Sequence, residues 1–471
     1  MHVAADEYDV VVVGGGSTGE NLADRTAAAG LRTIVVEGGL VGGECSYYAC
    51  MPSKALLRPG AAAAHARAVA GVSVGDGLDA AAVLARRDRF ADYWTDDDQV
   101  AWLDRVGIEL VRGHGRLVGD RAVQVDGGRV LTARHAVALC TGSSPALPEL
   151  PGLAEARPWT SREATSAQRV PARLAVVGGG VVAVEMAAAW RSLGSEVVLL
   201  SRGPLLGRME PFAGELVADG LRAAGVEVRQ ARVAGVHREG DGEVRIDLAD
   251  GSAVTADEVL IATGRRANTA DLGLETVGLE PGSWPAVDDS CAVTGVAGGW
   301  LYAAGDLNHR ALLTHQGKYQ ARIAGAAIAA RARGERVDGG RWGAHSASAD
   351  TAGAPQVVFT EPEAASVGLT LAAAEAAGLN VRAVDYDLGS VAGARLYADG
   401  YTGRARMVVD LDREVLVGAT FVGPGVAELL HAGTVAVVGE VPIARLWHAV
   451  PAYPTVSEIW LRLLEAWRDG A

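Results

Sequence analysis

The residues best suited to chemistry in this sequence are two cysteines in the segment GGECSYYACMPSKALL, which spans residues 42–57. Cys45 and Cys50 are separated by four residues, and a Pro-Ser-Lys triplet that ends at Lys54 follows them. A close cysteine pair can form a structural disulfide, supply half of a metal site, or open and close as a redox pair during catalysis. Each of these uses defines a different kind of protein.

The remaining cysteines narrow this choice. The chain has four cysteines, and the other two, Cys140 and Cys291, each stand alone in apolar sequence, as small core residues do. A zinc site would need a second cysteine or histidine pair at ligand spacing, and we find none, so we predict no metal site. In a reducing cytoplasm, a lone close pair is more often catalytic or redox-sensing than structural.

The bulk composition limits the partners of the chain. Its 471 residues carry a formal net charge of −14 without a Lys/Arg run that would attract a phosphate backbone, so we expect no nucleic acid partner. The N-terminal sequence MHVAADEYDV is acidic and strand-like, unlike a signal peptide. No apolar run reaches the roughly 18–20 residues of a membrane helix. These features predict a soluble, cytoplasmic protein without a membrane partner.

A glycine fingerprint follows the first predicted strand, in YDVVVVGGGSTGENLADRTAAAGLRTIVVEGG. Gly14 allows the chain to turn, Gly16 lets the backbone approach a pyrophosphate, and Gly19 lets helix and strand pack closely. Glu37 ends the next predicted strand, where an acidic residue binds a ribose 2′-hydroxyl. A glycine-rich turn without a ligand is the alternative, but the flanking strand, helix and carboxylate favour a dinucleotide. Because Glu37 would repel a 2′-phosphate, we expect FAD or NAD here rather than NADP.

A second fingerprint occurs in RLAVVGGGVVAVEMAAAWRSLGSEVVLLSRGPLLGRMEP, where Gly178, Gly180 and Ala183 occupy the three small positions. No carboxylate ends its second strand; Arg202 stands there instead, with Arg208 six residues further on. As a pair these arginines favour the 2′-phosphate of NADPH, although each alone would be interpreted as a solvated surface residue. Two fingerprints in one chain imply two dinucleotides and electron transfer between them.

Both fingerprints and the segment GGECSYYACMPSK belong to one larger pattern. Over nearly its whole length, the chain resembles the class I pyridine nucleotide–disulfide oxidoreductases, which include dihydrolipoamide dehydrogenase, glutathione reductase and mercuric reductase. The resemblance implies an α/β fold with two Rossmann-like dinucleotide-binding domains, for FAD and NAD(P), and a C-terminal α+β dimerisation domain. The expected domain limits are 1–155 for the first part of the FAD-binding domain, 156–270 for the NAD(P)H-binding domain, 271–345 for the second, central part of the FAD-binding domain, and 346–471 for the dimerisation domain.

Other segments extend the resemblance. CTGSSPALP and IATGRRANT are similar to two family turns that end in Thr-Gly, LYAAGD to the flavin-contacting segment, and LTHQG to the start of the helix beneath the flavin. VVFTEPEAASVG resembles the opening of the interface domain, which implies a homodimer whose active site is completed across the interface. The further cofactor-binding residues implied are Gly43, Lys54, Thr141, Gly142, Gly264, Gly305, Asp306, which is expected on the ribityl chain, and His315.

The resemblance also implies roles for the cysteine pair and its neighbours. Cys50 would face the flavin as the charge-transfer thiol, and Cys45 would be the interchange thiol that attacks the substrate. Lys54 resembles the lysine near the flavin, and Glu185, in the apolar run VVAVEMAAAW, resembles its carboxylate partner, which would hold Lys54 charged despite burial. Since residues five apart in a regular helix point about 140° apart, a disulfide here also requires a distorted backbone.

The C-terminal segment departs from the family pattern. Disulfide reductases carry His-Pro-Thr-x-Ser-Glu, in which the histidine is the acid/base and the glutamate orients it. This chain has YPTVSE, with Tyr453 in the histidine position and Glu458 in the glutamate position. Tyrosine, with a pKa of about 10, is a poor base at neutral pH, and His448 is the alternative acid/base. Val181 is a second departure, because disulfide reductases often carry an aromatic lid over the nicotinamide there.

These features predict one function and leave alternatives open. We expect a homodimeric FAD enzyme that oxidises NADPH, with NADH as the alternative donor, through the Cys45–Cys50 pair and reduces a small acceptor, in the first instance a disulfide. A quinone or dye reductase would need no thiol leaving group. Mercuric reductase shares the tyrosine but adds a C-terminal cysteine pair, whereas this sequence ends LEAWRDGA. A non-catalytic, redox-sensing flavoprotein is a further alternative. The presence of the cysteine pair, Lys54 and Glu185 argues against it.

Overall fold

The structure is a computed structural model that describes residues 6–75, 77–240 and 242–470. Its strands are Asp6–Val13 (β1), Thr33–Glu37 (β2), Glu109–Arg112 (β3), Gly115–Gly119 (β4), Ala122–Val125 (β5), Val130–Leu139 (β6), Ser143–Pro145 (β7), Arg173–Val177 (β8), Glu196–Ser201 (β9), Glu227–Gln230 (β10), Val233–Arg238 (β11), Val244–Leu248 (β12), Ala253–Ala256 (β13), Glu258–Ile261 (β14), Arg265–Ala267 (β15), Leu301–Ala303 (β16), Pro355–Val358 (β17), Glu363–Gly368 (β18), Val381–Asp387 (β19), Arg404–Asp410 (β20) and Val415–Gly423 (β21). Its helices are Ser17–Ala28 (α1), Gly43–Tyr47 (α2), Cys50–Arg67 (α3), Ala80–Phe90 (α4), Asp97–Arg105 (α5), Ser161–Ser166 (α6), Val181–Ser192 (α7), Pro211–Ala223 (α8), Thr314–Ala332 (α9), Ala349–Ala352 (α10), Leu371–Ala376 (α11), Ala392–Tyr397 (α12), Leu430–Val438 (α13), Ile443–Leu446 (α14) and Ile459–Asp469 (α15).

The chain divides into two compact units. The first comprises the described residues of Met1–Met51, Asp88–Pro145 and Arg265–Thr351, and the second those of Pro52–Arg87, Ala146–Gly264 and Ala352–Ala471. The second dinucleotide sheet and the C-terminal sheet fall in the same unit, so compactness alone does not separate the domains. The domain limits at residues 155, 270 and 345 therefore stay predictions.

The first unit is built on a sheet whose central strand leads into the first glycine fingerprint. The strand order is β3-β2-β1-β6-β5-β4, with β16 also paired to β6, and β1 is parallel to both of its neighbours. Val10–Val13 are all buried because they alternate between two cores, one on each face of the sheet, as expected for a covered parallel strand. One of these cores contains α1 and α9. The glycine turn that follows β1 therefore lies at the carboxyl edge of the sheet, where ligands of such folds bind.

The second unit repeats this arrangement around the second fingerprint. Its parallel sheet has the order β10-β9-β8-β14, and apolar residues of α7 pack on one face of it. An antiparallel sheet, β11-β12-β13, shares a core with the other face. The second glycine turn thus follows the first strand of its own Rossmann-like sheet, β8.

An antiparallel sheet of order β17-β18-β21-β20-β19 forms the C-terminal part of the second unit. It shares a core with α13 and α15, which gives this part an α+β architecture. The predicted fold class, two Rossmann-like sheets followed by an α+β region, is confirmed. Within the described ranges, no helix combines the length and the apolarity that crossing a bilayer requires.

Candidate active site

The cysteine pair lies at a break between two helices. α2 ends at Tyr47, α3 begins at Cys50, and Tyr48 has the non-helical angles φ −136° and ψ 0°. The break removes the geometric obstacle that a regular helix would place between Cys45 and Cys50. Both are free thiols, and the Cys45 thiol is hydrogen-bonded to that of Cys50. The structure therefore contains the backbone distortion that the spacing required.

The surroundings of the pair favour one thiolate at a time. The hydrogen bond with Cys50, together with burial, holds the pKa of Cys45 well above its ordinary value. The Cys50 Sγ lies 3.1 Å from Oγ1 of Thr314, the first residue of α9. Thr314 and Lys318 act in the opposite direction, because both lower the pKa of Cys45. Two adjacent thiolates would repel each other, so the pair does not readily carry two negative charges at once.

The first glycine fingerprint forms a cradle that fits a pyrophosphate. Gly14 has a φ of 100°, and a Cβ there would lie 2.5 Å from the carbonyl oxygen of Cys140. A Cβ on Gly19 would overlap the carbonyl oxygen of Gly14, and a Cβ on Gly43 would lie 2.8 Å from the Cα of Gly16. Gly16 caps α1 without any side-chain hydrogen bond, so the N–H groups of the first turn are available to an anion.

Glu37 ends β2 with its carboxylate held by the backbone. Its Oε2 accepts a hydrogen bond from the Gly15 N–H and its Oε1 from the Gly39 N–H, both at 2.6 Å. Each carboxylate oxygen retains a further lone pair for a hydroxyl donor. The position and charge of Glu37 thus fit the ribose of FAD and disfavour a 2′-phosphate.

Asp306 lies in a polar cluster at the 3₁₀ turn Gly305–Asn308. Its Oδ2 accepts a hydrogen bond from the Ser143 hydroxyl at 2.6 Å, and the Arg265 guanidinium donates to both the hydroxyl and the carbonyl of Ser143. Asp306 Oδ1 accepts no hydrogen bond from the described residues, so it suits a hydroxyl such as those of the ribityl chain. Sequence reasoning missed Ser143 and Arg265, although both follow the two Thr-Gly turns directly.

The other predicted cofactor residues lie in turns and at a helix start. The Thr141 hydroxyl donates to a backbone carbonyl at 3.0 Å, and Gly142 has a φ of 68°. The Gly264 carbonyl accepts a hydrogen bond from a backbone N–H at 2.9 Å, and the side chain of His315 is exposed in the first turn of α9. Their roles toward FAD stay predictions.

Lys54 and Glu185 form the pair that the sequence predicted, with a third residue added. The Lys54 Nζ lies 2.8 Å from Oε2 of Glu185, which is buried on α7. The Phe359 N–H donates to the other Glu185 oxygen at 3.0 Å, and the Phe359 ring centroid lies 4.9 Å from the Lys54 Nζ. Each oxygen of the carboxylate therefore accepts one hydrogen bond, and the lysine is held between a carboxylate and an aromatic face. The aromatic residue in VVFTEPE was the missed signal.

The second glycine turn repeats the sterics of the first. Gly178 has a φ of 146°, and a Cβ there would overlap the carbonyl oxygen of Ala262. Ala183 is buried, whereas a Cβ on Gly180 would meet nothing within 4 Å. Gly180 caps α7 without a side-chain hydrogen bond. The turn is therefore crowded around Gly178 and open at Gly180, where a bound pyrophosphate needs space.

Two arginines follow β9, where Glu37 ends the corresponding strand of the first sheet. Arg202 and Arg208 are both exposed, and neither forms an ion pair with any described residue. The Ser201 hydroxyl turns back to the Gly203 carbonyl at 2.8 Å. Two unpaired guanidinium groups at this edge fit a 2′-phosphate.

The C-terminal segment places Tyr453 and Glu458 in different surroundings. Tyr453 is 76% exposed, and its hydroxyl has no hydrogen bond within the described part of the chain. Glu458 is buried, and its Oε1 accepts from the Arg462 guanidinium rather than from Tyr453. Its Oε2 is buried without a partner among the described residues. His448 is exposed. The glutamate of this segment therefore does not orient the residue that replaces histidine.

Two sheets, in each of which a parallel strand leads into an anion-binding glycine turn, and a thiol pair after the first of these turns define a two-dinucleotide thiol oxidoreductase. The chain belongs to the pyridine nucleotide-disulphide oxidoreductases: the family model matches residues 8–331, and the model of the dimerisation domain of that family matches residues 354–463. It is a FAD-dependent enzyme whose electron donor is a pyridine nucleotide. The predicted family, enzyme class and cofactors are confirmed.

The chain is similar in sequence to mercuric reductases and dihydrolipoyl dehydrogenases, and similar in structure to a flavoprotein disulfide reductase. A mercuric reductase of Shigella flexneri is 32% identical over 95% of this chain and 79% of its own. A dihydrolipoyl dehydrogenase of Thermus scotoductus is 31% identical over 98% of this chain and 97% of its own. The solved structure of the HOCl-induced flavoprotein disulfide reductase RclA from Escherichia coli matches with a TM-score of 0.82 and 22% identity, over 97% of this chain and 99% of that one. This last likeness shows a shared fold.

Proposed function

We propose that this enzyme oxidises NADPH and passes the electrons through the Cys45–Cys50 pair to a small disulfide. The observation that carries the proposal is the contact between the two thiols at the helix break, with Thr314 beside Cys50. Gly14, Gly16, Glu37 and the Asp306 turn would hold FAD. When bound, FAD supplies the two-electron transfer between the reduced nicotinamide and the thiol pair.

The thiol chemistry assigns a different step to each cysteine. Cys45, as its thiolate, attacks one sulfur of the acceptor, which breaks the S–S bond, releases the first thiol and leaves a mixed disulfide on Cys45. Cys50 then attacks the Cys45 sulfur, which releases the second thiol and closes the Cys45–Cys50 disulfide. The acceptor gains two electrons and two protons, and the cysteine pair loses them. Because the pKa of Cys45 is raised, its proton needs a base, which makes the absence of the family histidine consequential.

We propose further that a second copy of the chain completes this site. The dimerisation-domain match covers Tyr453 and Glu458. Val450 and Tyr453 are 83% and 76% exposed, which is unusual for apolar and aromatic side chains so close in sequence. The second copy would cover this surface and present Tyr453 to the cysteine pair of its partner.

The test is anaerobic NADPH consumption by three proteins: the wild type, Cys45→Ser and Cys291→Ala, the last as a control for loss of a cysteine outside the pair. We expect the wild type and Cys291→Ala to reduce a member of a disulfide panel, and Cys45→Ser to be slower by at least about a hundredfold. Disulfide turnover by Cys45→Ser at the wild-type rate would reject the relay.

The surroundings of Tyr453 favour one further candidate, an NAD(P)H:quinone reductase. Tyr453 has no hydrogen-bond partner among the described residues and replaces the base, and a quinone needs neither a base nor a thiol leaving group. A naphthoquinone belongs in the same assay. Reduction of the quinone alone, at equal rates in the wild type and Cys45→Ser, would establish this second candidate.

Relatives named mercuric reductase place Hg²⁺ among the acceptors to be assayed. Cys140 and Cys291 are buried, which leaves Cys45 and Cys50 as the more accessible thiols among the four cysteines. No group of three or more His, Cys, Asp or Glu side chains in the described ranges is arranged to hold a metal ion. We therefore rank Hg²⁺ below a disulfide.

A further inference from the structure

A buried carboxylate lies two hydrogen bonds away from the Asp306 turn. The side chain of Asp350 is 0% exposed, and three side chains surround it. Gln316 donates to its Oδ1 at 3.0 Å, Gln320 donates to its Oδ2 at 2.9 Å, and the Arg310 Nε lies 3.1 Å from Oδ2. Of the common side chains, only an ionised carboxylate accepts from donors on both of its oxygens in this way.

The other end of Gln320 holds the turn that carries Asp306. Its Oε1 accepts from the Gly305 N–H and from the Asn308 amide, both at 2.8 Å. The Gly305 N–H is a backbone donor, so Gln320 must present its oxygen there. Its NH₂ group is thereby directed at Asp350, which must supply an acceptor. The orientation of Gln320 thus depends on groups at both of its ends.

We propose that Asp350 is a positioning residue for the cofactor: by fixing Gln320, it holds the amide of Gly305, and with it the carboxylate of Asp306, in the conformation that receives FAD. The inference rests on the proposed contact between Asp306 and FAD. Asp350 would thus affect the affinity for FAD without touching FAD itself.

Protonation of Asp350 is expected to weaken this arrangement. Burial raises the pKa of Asp350 to about 6, while Arg310 opposes that rise. The other groups that face it are Asp289, which binds Arg310 at 2.8 Å, and Cys291 and Tyr319, whose pKa values burial raises, so that both stay neutral in acid. Below about pH 6, a hydrogen on one Asp350 oxygen removes an acceptor, so either Gln316 or Gln320 must turn away. FAD affinity is therefore expected to fall as the pH drops through this value.

The test is the Kd of FAD for the full-length apoprotein, measured by FAD fluorescence from about pH 8 down to about pH 5. For the wild type we expect the Kd to rise about five- to tenfold on acidification, the effect of one lost buried hydrogen bond. Asp350→Asn should bind about tenfold more weakly at neutral pH and show a flat pH profile, because it cannot ionise. Asp289→Asn removes a carboxylate from the same arginine without touching Gln320, so it should bind FAD like the wild type at neutral pH and move the acid transition only to lower pH, because Asp289 raises the pKa of Asp350.

Two further variants, Gln320→Met and Asp306→Asn, show which part of the proposal fails. Gln320→Met should reproduce the weak, pH-independent binding, and it decides the matter if Asp350→Asn does not fold. Wild-type affinity and pH dependence in Asp350→Asn, or in Gln320→Met, would overturn the inference. If Asp306→Asn weakens binding while those two variants do not, only the positioning role fails. If Asp306→Asn also binds FAD as the wild type does, the proposed contact between Asp306 and FAD fails first.

Discussion

Lys54 is the counter-charge of one buried carboxylate, Glu185. Glu185 has 4% of its side chain exposed, and the Phe359 N–H occupies its second oxygen. If the lysine were removed, the carboxylate would be left buried without a counter-charge, which is costly. Lys54 itself is 36% exposed, so part of its charge is already hydrated.

Lys54→Met should therefore destabilise the protein by about 2 kcal/mol, less than the cost of breaking a fully buried pair. The double variant Lys54→Met/Glu185→Leu should recover most of that loss, because no uncompensated charge remains. Neither variant should sustain NADPH-driven turnover. Urea denaturation measures the free energies of unfolding. A double variant as unstable as the single one would contradict the buried-pair argument, and a double variant with full turnover would contradict the role of Lys54.

Tyr453 determines how leaving thiols are protonated if it faces the cysteine pair in the dimer. Aryl thiols leave as stable thiolates, whereas alkyl thiols need a proton, so the wild type should reduce an aryl disulfide much faster than an alkyl one. Tyr453→His should raise the alkyl rate by about tenfold or more and leave the aryl rate nearly unchanged. Tyr453→Phe is the matched control. Equal gains on both substrates would place the limit at removal of the Cys45 proton instead, and no gain on the alkyl disulfide would exclude proton transfer as the limit.

Helices, strands and turns were predictable where their causes are local. The glycine turns follow from steric contacts that any side chain would violate, as at Gly14 and Gly178. A distorted backbone between Cys45 and Cys50 follows from helical geometry once the two cysteines are taken to form a disulfide. By contrast, the Phe359–Glu185 and Gln320–Asp350 hydrogen bonds join segments far apart in the chain, and no periodicity encodes them. These contacts had to be seen in three dimensions.

The ion pair between Glu458 and Arg462 was missed for a different reason. Arg462 follows it by four residues at the start of α15, a spacing that favours an ion pair on a helix. The local signal was therefore present, but the family pattern assigned the glutamate to the residue at position 453. In the structure, Arg462 supplies the positive charge that faces the Glu458 carboxylate.

The two arginines that follow β9 should determine whether NADPH or NADH is the preferred electron donor. Arg202→Ala should raise the KM for NADPH by about tenfold and change that for NADH less than about twofold, because only NADPH carries a 2′-phosphate. Arg222→Ala is the control, since this exposed arginine on α8 pairs with Asp219 instead. Steady-state kinetics with both nucleotides measure the effect. Equal changes for NADPH and NADH would remove the argument from the arginines.

At the scale of the whole molecule, the proposed dimer is expected to cover the exposed side chains of Val450 and Tyr453. Val450→Glu should shift the sedimentation of the protein toward the monomer and abolish disulfide turnover, because it places a charge on a surface that would be buried in the dimer. FAD should stay bound, since the first glycine turn and Asp306 lie in the other unit. Val118→Glu, which adds the same charge at an exposed valine of β4, should remain dimeric. A Val450→Glu protein with full turnover would place the active site within one chain.

The redox role of the cysteine pair can be tested most directly by trapping thiols. The enzyme is unfolded anaerobically in N-ethylmaleimide, before and after incubation with NADPH, and each cysteine is read by mass spectrometry. Cys140 and Cys291 should be alkylated in both samples and serve as internal standards. Cys45 and Cys50 should be alkylated only after NADPH, because they begin as a disulfide in the oxidised enzyme. Equal alkylation of Cys45 and Cys50 in both samples would contradict the relay and leave a flavoenzyme whose thiols take no part in electron transfer.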